Sequence, residues 1–112
     1  MSFIPVLEAL CQRVPGARGA VFVDHDGECI QQHVLDPVLL AYDLMVAGAH
    51  VAPIMAHVLK PTLVVLDGRE GVTAIQIVTE RYAVLLLTVP NVHRFQITRA
   101  LAQAATELHA LM

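Results

Sequence analysis

The run AVFVDHDGECIQQH, Ala20 to His33, decides how the rest of the chain is read. It holds Asp24, His25, Asp26, Glu28, Cys29 and His33, and each of these could ligate a metal or carry a proton. Around them the pattern is that of a hairpin. GAVFV is a short β-branched and aromatic run, ECIQQHV alternates, and DHDG between them ends in glycine. Asp side chains bond nearby backbone N–H groups in such turns, and Gly27 supplies the positive φ they need. The DxDxDG spacing and distal Glu of a calcium loop are missing, because strand sequence resumes directly after Glu28. Polar density in this run therefore reads as a turn.

Working outward, Val6, Leu7, Leu10, Cys11 and Val14 share one face of a helix expected over Phe3 to Arg13, which VPGARG ends. Asp36 followed by Pro37 reads as the start of a middle helix. That helix is expected to run to about Leu59 with a kink near Pro53, whose ring removes one backbone bond. TLVVL, VTAIQIV and AVLLLTV are three strands joined by the short turns DGREG and TERY, which makes neighbours antiparallel. After Pro90, Asn91 is expected to cap a last helix whose apolar face holds Phe95, Ile97, Leu101, Ala104, Ala105, Leu108 and Leu111. Strands in hairpins and meanders, not alternating singly with helices, give an α+β class. The expectation is a single domain over residues 1–112, with one five-stranded sheet and three helices.

Composition adds a second constraint. The chain is 56% hydrophobic and 15% charged, against roughly 45–50% and 25% for soluble domains, although a short chain has proportionally more surface to keep polar. The excess collects in the middle helix. On a helical wheel Asp43, His50, Pro53 and His57 fall on one narrow side with Leu39 and Val46. The rest leaves about 200° of apolar arc where packing on one sheet needs about 100°. One flank carries Val38, Ala41, Met45, Ala49, Ala52 and Ala56, and the other Leu40, Leu44, Ala47, Val51, Ile54 and Val58. Two occupants are open for the second flank: the other helices of the same chain, or the same helix of a second copy. Ala47, Gly48 and Ala52 would let such a helix come close, and two-fold pairing is the commonest route to oligomers.

Several function classes drop out. A membrane span through this segment would bury Asp43, and neither end has a basic cluster or aromatic belt. MSFIPVLEAL lacks a signal-peptide pattern. With a formal charge of -3 and no basic stripe, nucleic acid is not an expected partner. Cys11 and Cys29 read as two reduced thiols, which places the chain in the cytoplasm. His50 and His57 stand two turns apart, too far for one ion within a chain. No phosphate loop, GxSxG motif or Cys/His signature is present, so no catalytic residue, metal or cofactor is assigned.

The order of elements, the run GARGAVFVDHDGECI with Gly19, Ala20, Asp24, Asp26, Gly27 and Ile30 in an xGaxxxDxDGxxI pattern, the Ala-rich apolar helix, and GVTAIQIVTERYAVLLLTV before a last helix together resemble the roadblock / dynein light chain family, in its bacterial small-GTPase-regulator type. The resemblance covers nearly the whole chain. It implies a five-stranded antiparallel sheet, with first and last helices on one face and the long middle helix on the other. It also implies a homodimer through the middle helix and the edge strand after it, here Val38 to Leu59 and Thr62 to Leu66. The expected interface residues are Leu40, Leu44, Ala47, Gly48, Val51, Ile54, Met55, Val58, Thr62, Val64 and Leu66. The implied role is a non-enzymatic scaffold or regulator of a small Ras-like GTPase. Arg18, Arg69 and Arg81, in or near loops, are the arginines available to supply charge to a phosphate, and each reads first as a solvated surface arginine. Pro53 and the lead PNVHRF depart from the family pattern.

Two other readings stay open. A small-ligand sensory domain of profilin-like type would need a cavity with convergent polar groups, for which Thr73, Gln76 and Thr88 are the candidates. A structural subunit that pairs with a different roadblock-like chain would carry the same sequence features.

Overall fold

The computed structural model describes residues 2–39, 41–57 and 63–112. Along the chain run helix α1 (Ile4–Arg13), strands β1 (Ala17–Asp24) and β2 (Cys29–Val34), helices α2 (Ala41–Ala49) and α3 (Val51–His57), strands β3 (Leu63–Gly68), β4 (Gly71–Thr79) and β5 (Tyr82–Thr88), and helix α4 (Arg94–Ala110). The strands form one antiparallel sheet of order β2-β1-β5-β4-β3, so β2 and β3 are its edges. This is the α+β architecture expected from the sequence.

Alternation along the strands divides the core into two layers. Ala20 pairs with Leu86 and Phe22 with Val84; these side chains join Val6, Leu7 and Leu10 of α1 and Ile97, Leu101 and Leu108 of α4. The interleaved pairs Val21–Leu85 and Val23–Ala83 point to the opposite face, where Ile75 and Ile77 of β4 lie beside them and Leu39, Ala47 and Val51 pack in the same cluster. Burying a Leu, Ile or Phe side chain contributes about 1.5–3 kcal/mol, so both faces hold the sheet. α1 and α4 lie together on the first face. They do not cover the second flank of the middle helical segment.

The middle segment departs from expectation at both its start and its bend. Asp36 does not cap a helix: its Oδ1 accepts from the Val38 N–H at 2.8 Å, and the Leu39 N–H donates to the Asp36 carbonyl. These close a turn, and α2 begins at Ala41. Instead of one helix kinked at Pro53, there are two helices broken at His50. The reason lies in which bond a proline removes. Pro53 cannot donate to the carbonyl four residues back, that of Ala49, and its ring crowds that carbonyl. The chain therefore breaks one turn upstream, with the His50 N–H donating to the Ala47 carbonyl at 3.2 Å. Pro53 then sits in the first turn of α3, where its missing N–H costs nothing.

The last helix also starts differently. Asn91 holds a positive φ of 67° and does not cap it; His93 does, its Nδ1 accepting from the Phe95 N–H at 3.2 Å. Starting there turns Phe95 outward, 60% exposed and 5.6 Å from the Arg99 guanidinium, while Ile97, Ala100, Leu101, Ala104 and Leu108 are buried.

Candidate interaction surface

The Asp24–Gly27 segment is a turn and carries no cluster of ligands. Asp24 Oδ1 accepts from the N–H groups of Asp26 at 2.9 Å and Glu28 at 3.0 Å, and Gly27 has φ +83°. Among the described residues no group of three or more His, Cys, Asp or Glu is placed to hold a metal ion. No helix among them is long and apolar enough to cross a membrane.

The turn does make one unexpected contact. A Cβ on Gly48 would come within 2.6 Å of the Gly27 carbonyl oxygen, and one on Gly27 within 2.2 Å of that of Gly48. The sequence reading has Gly48 admitting a second helix; within the chain it admits the β1–β2 turn. Ala47 and Val51 are likewise buried against their own sheet, and Ile54, Met55 and Val64 are half-buried around the same cluster. Leu66 is 38% exposed. Leu40, Val58 and Thr62 lie outside the described residues, as does the side chain of Leu44.

Beside these residues, nothing among the described residues pairs with the outer edge of β3. Bonded and non-bonded pairs alternate in an antiparallel ladder. The pair Gly68–Gly71 closes a two-residue hairpin and is a bonded one, and the register runs unbroken through Leu66–Thr73 and Val64–Ile75. Val64 and Leu66 therefore bond to β4, whereas Leu63, Val65 and Asp67 turn their N–H and C=O groups outward. The side chains of Val64 and Leu66 share the face of Ile75 and Thr73, the face that α2 and α3 cover. A cavity of about 330 Å³ opens there between α2 and the β3–β4 hairpin, with Asp43, Val46, His50, Arg69, Thr73 and Thr88 in its lining.

The candidate arginines differ in freedom. Arg18 is half-buried, its Nε donating to Asp36 Oδ2 at 2.8 Å. That bond, and the Val38 N–H, hold the Asp36 carboxyl below its ordinary value. Arg69 and Arg81 are exposed in turns. Of the polar candidates for a small ligand, Thr73 and Thr88 line the cavity and Gln76 does not. Thr88 Oγ1 donates to the Val89 carbonyl at 2.9 Å. Sequence reasoning misses Arg94 of α4, which pairs with Asp67 at the end of β3. The one available signal is a cation in the first turn of a helix, where a carboxylate is the favoured charge.

No protein-family model matches the chain, and no curated protein sequence does. Solved structures match over almost its whole length. A roadblock/LC7 domain from Streptomyces avermitilis is 16% identical, covers 95% of this chain and 93% of its own, and superposes with a TM-score of 0.78. The gliding protein MglB from Thermus thermophilus is 16% identical over 96% of this chain and 86% of its own, with a TM-score of 0.81. An MglB structure described as a tetrameric arrangement is 17% identical over 96% and 85%, also at 0.81. The chain has the roadblock/LC7 fold.

Proposed function

We propose that this chain is a non-catalytic scaffold or regulator in the cytoplasm that pairs with itself through the β3 edge and the adjoining helical layer, and that the paired surface binds a small Ras-like GTPase. The observation that carries the reading is the open β3 edge. Leu63, Val65 and Asp67 turn outward backbone groups that no described residue pairs, next to exposed Leu66 and a cavity that a second copy would close. The pairing residues are drawn from Val64, Leu66, Ile54 and Met55 among the described residues; Leu40, Leu44, Val58 and Thr62 are expected at the interface from the sequence alone. Support comes also from the fold shared with a gliding protein and with a tetrameric arrangement of MglB, and from two free cysteines.

Light scattering at micromolar concentration tests the pairing, where a clean monomer would sink it. Capture of purified Ras-like GTPases, loaded with GDP or a non-hydrolysable GTP analogue, tests the partner. Absence of binding in both states overturns the regulatory role. Thr73 and Thr88 in the cavity favour the small-ligand reading as the second choice. A shift in melting temperature with a panel of small metabolites, in a chain that stays monomeric, would bring it forward.

A further inference from the structure

The other edge of the sheet is as open as β3, and its sequence is self-complementary. β2 carries no Asp, Glu, Lys, Arg or Pro, although these are the residues that usually protect an edge strand from pairing. Its backbone polarity follows from one bond. The Leu35 N–H donates to the Arg18 carbonyl at 2.9 Å, so by alternation His33 and Gln31 also face β1. Val34 and Gln32 then turn their N–H and C=O groups to solvent, while Ile30 is the extra residue of a bulge that interrupts the alternation.

The side chains of these three stand on one face. Gln32 pairs with Val21 and Val34 with Gly19, which places them on the side that α2 covers, and Ile30 follows two residues away at the bulge opposite Val23. Ile30 is 40% and Val34 37% exposed, with Leu35 and Val38 more open beyond them. The run is thus apolar, amide, apolar, symmetric about Gln32.

We infer that β2 pairs with β2 of another copy, antiparallel about a two-fold axis at Gln32. Gln32 meets its own counterpart, each amide able to donate and accept, and Ile30 of each copy meets Val34 of the other. Gln32 and Val34 have their backbone groups facing outward, so the ladder closes at the axis without altering the β1–β2 register. On the opposite face Gln31 meets His33, again twice. A chain that self-pairs at both edges, each about its own two-fold, grows as an open row of copies and does not stop at a dimer.

Sedimentation velocity of the full chain across a concentration series tests this with three proteins: wild type, Q32K and V65P. Q32K puts like charges directly opposite at the axis, which weakens β2 pairing about tenfold or more; V65P removes an outward N–H of β3. The expected result is species larger than a dimer for wild type and a dimer for each variant. A wild type that stops at a dimer, kept by Q32K and lost by V65P, overturns the β2 inference and leaves the β3 reading standing. A dimer kept by V65P and lost by Q32K does the reverse. Circular dichroism confirms the fold of each. In a C29S background, Gln32→Cys should cross-link to itself under mild oxidation, since bonded antiparallel pairs lie about 5.5 Å apart at Cα, while Glu28→Cys should not.

Discussion

Gly48 of α2 rests on Gly27 of the β1–β2 turn so closely that a Cβ on either would collide with the other's carbonyl. Helix propensity and this contact make opposite forecasts for Gly48→Ala. Alanine is the better helix former by about 1 kcal/mol, whereas forcing the turn away costs about 1–3 kcal/mol. We expect Gly48→Ala to lower the midpoint of urea unfolding. A raised midpoint would mean that the turn and helix separate freely.

The register of β3 distinguishes two neighbouring prolines. Val65 faces the open edge with its N–H, so Val65→Pro should abolish pairing through β3 and leave the chain itself folded. Val64 donates to β4, so Val64→Pro should lower the melting temperature of the monomer itself. Light scattering and thermal unfolding on the same two samples separate these outcomes. Equal effects on both would put the register out by one residue.

The two thiols should differ in reactivity. Burial pushes Cys11 up to about 11, with only 3% of its surface exposed, while Cys29 is exposed on the sheet edge, its pKa also raised by partial desolvation. At pH 8 a chromogenic disulfide should titrate one thiol in the native protein and two after denaturation. Two equivalents in the native state would contradict the packing of α1.

The Arg18–Asp36 pair sets an acid limb. The folded pKa of Asp36 is lowered from 3.8, chiefly by the Arg18 hydrogen bond. A depressed carboxylate stabilises the fold above its unfolded pKa and loses that contribution as pH falls through the folded value. Melting temperature followed from pH 5 downward should fall less steeply below about 4 in Asp36→Asn than in wild type. Identical slopes would mean that the pair does not form in solution.

Where periodicity is strong the sequence suffices. Val6, Leu7, Leu10, Cys11 and Val14 are buried as their spacing requires, and the Asp24–Gly27 turn forms as its chemistry requires. The break at His50 is not legible at Pro53, because a proline acts on the carbonyl four residues before it. His93 goes unrecognised as a cap because Asn is the commoner type there, and Phe95 reads as core in consequence. The interface is the least legible part. A helical wheel shows that Ala47, Gly48 and Val51 need cover, but not whether the cover is their own sheet, their own turn or a second copy. Only the register of β3 and β2 distinguishes outward backbone groups from paired ones.

The strand order also carries a kinetic consequence. β1–β2 and β3–β4–β5 are each local in sequence, but they meet only where β1 lies beside β5, with Val21 against Leu85. Closing that join spans most of the chain, so its entropic cost falls before its contacts form. The central seam is therefore expected to belong to the folding nucleus and the outer turns are not. Truncations at Val21 or Leu85 should slow refolding, and changes at Gly27 or in the β3–β4 hairpin should mainly hasten unfolding.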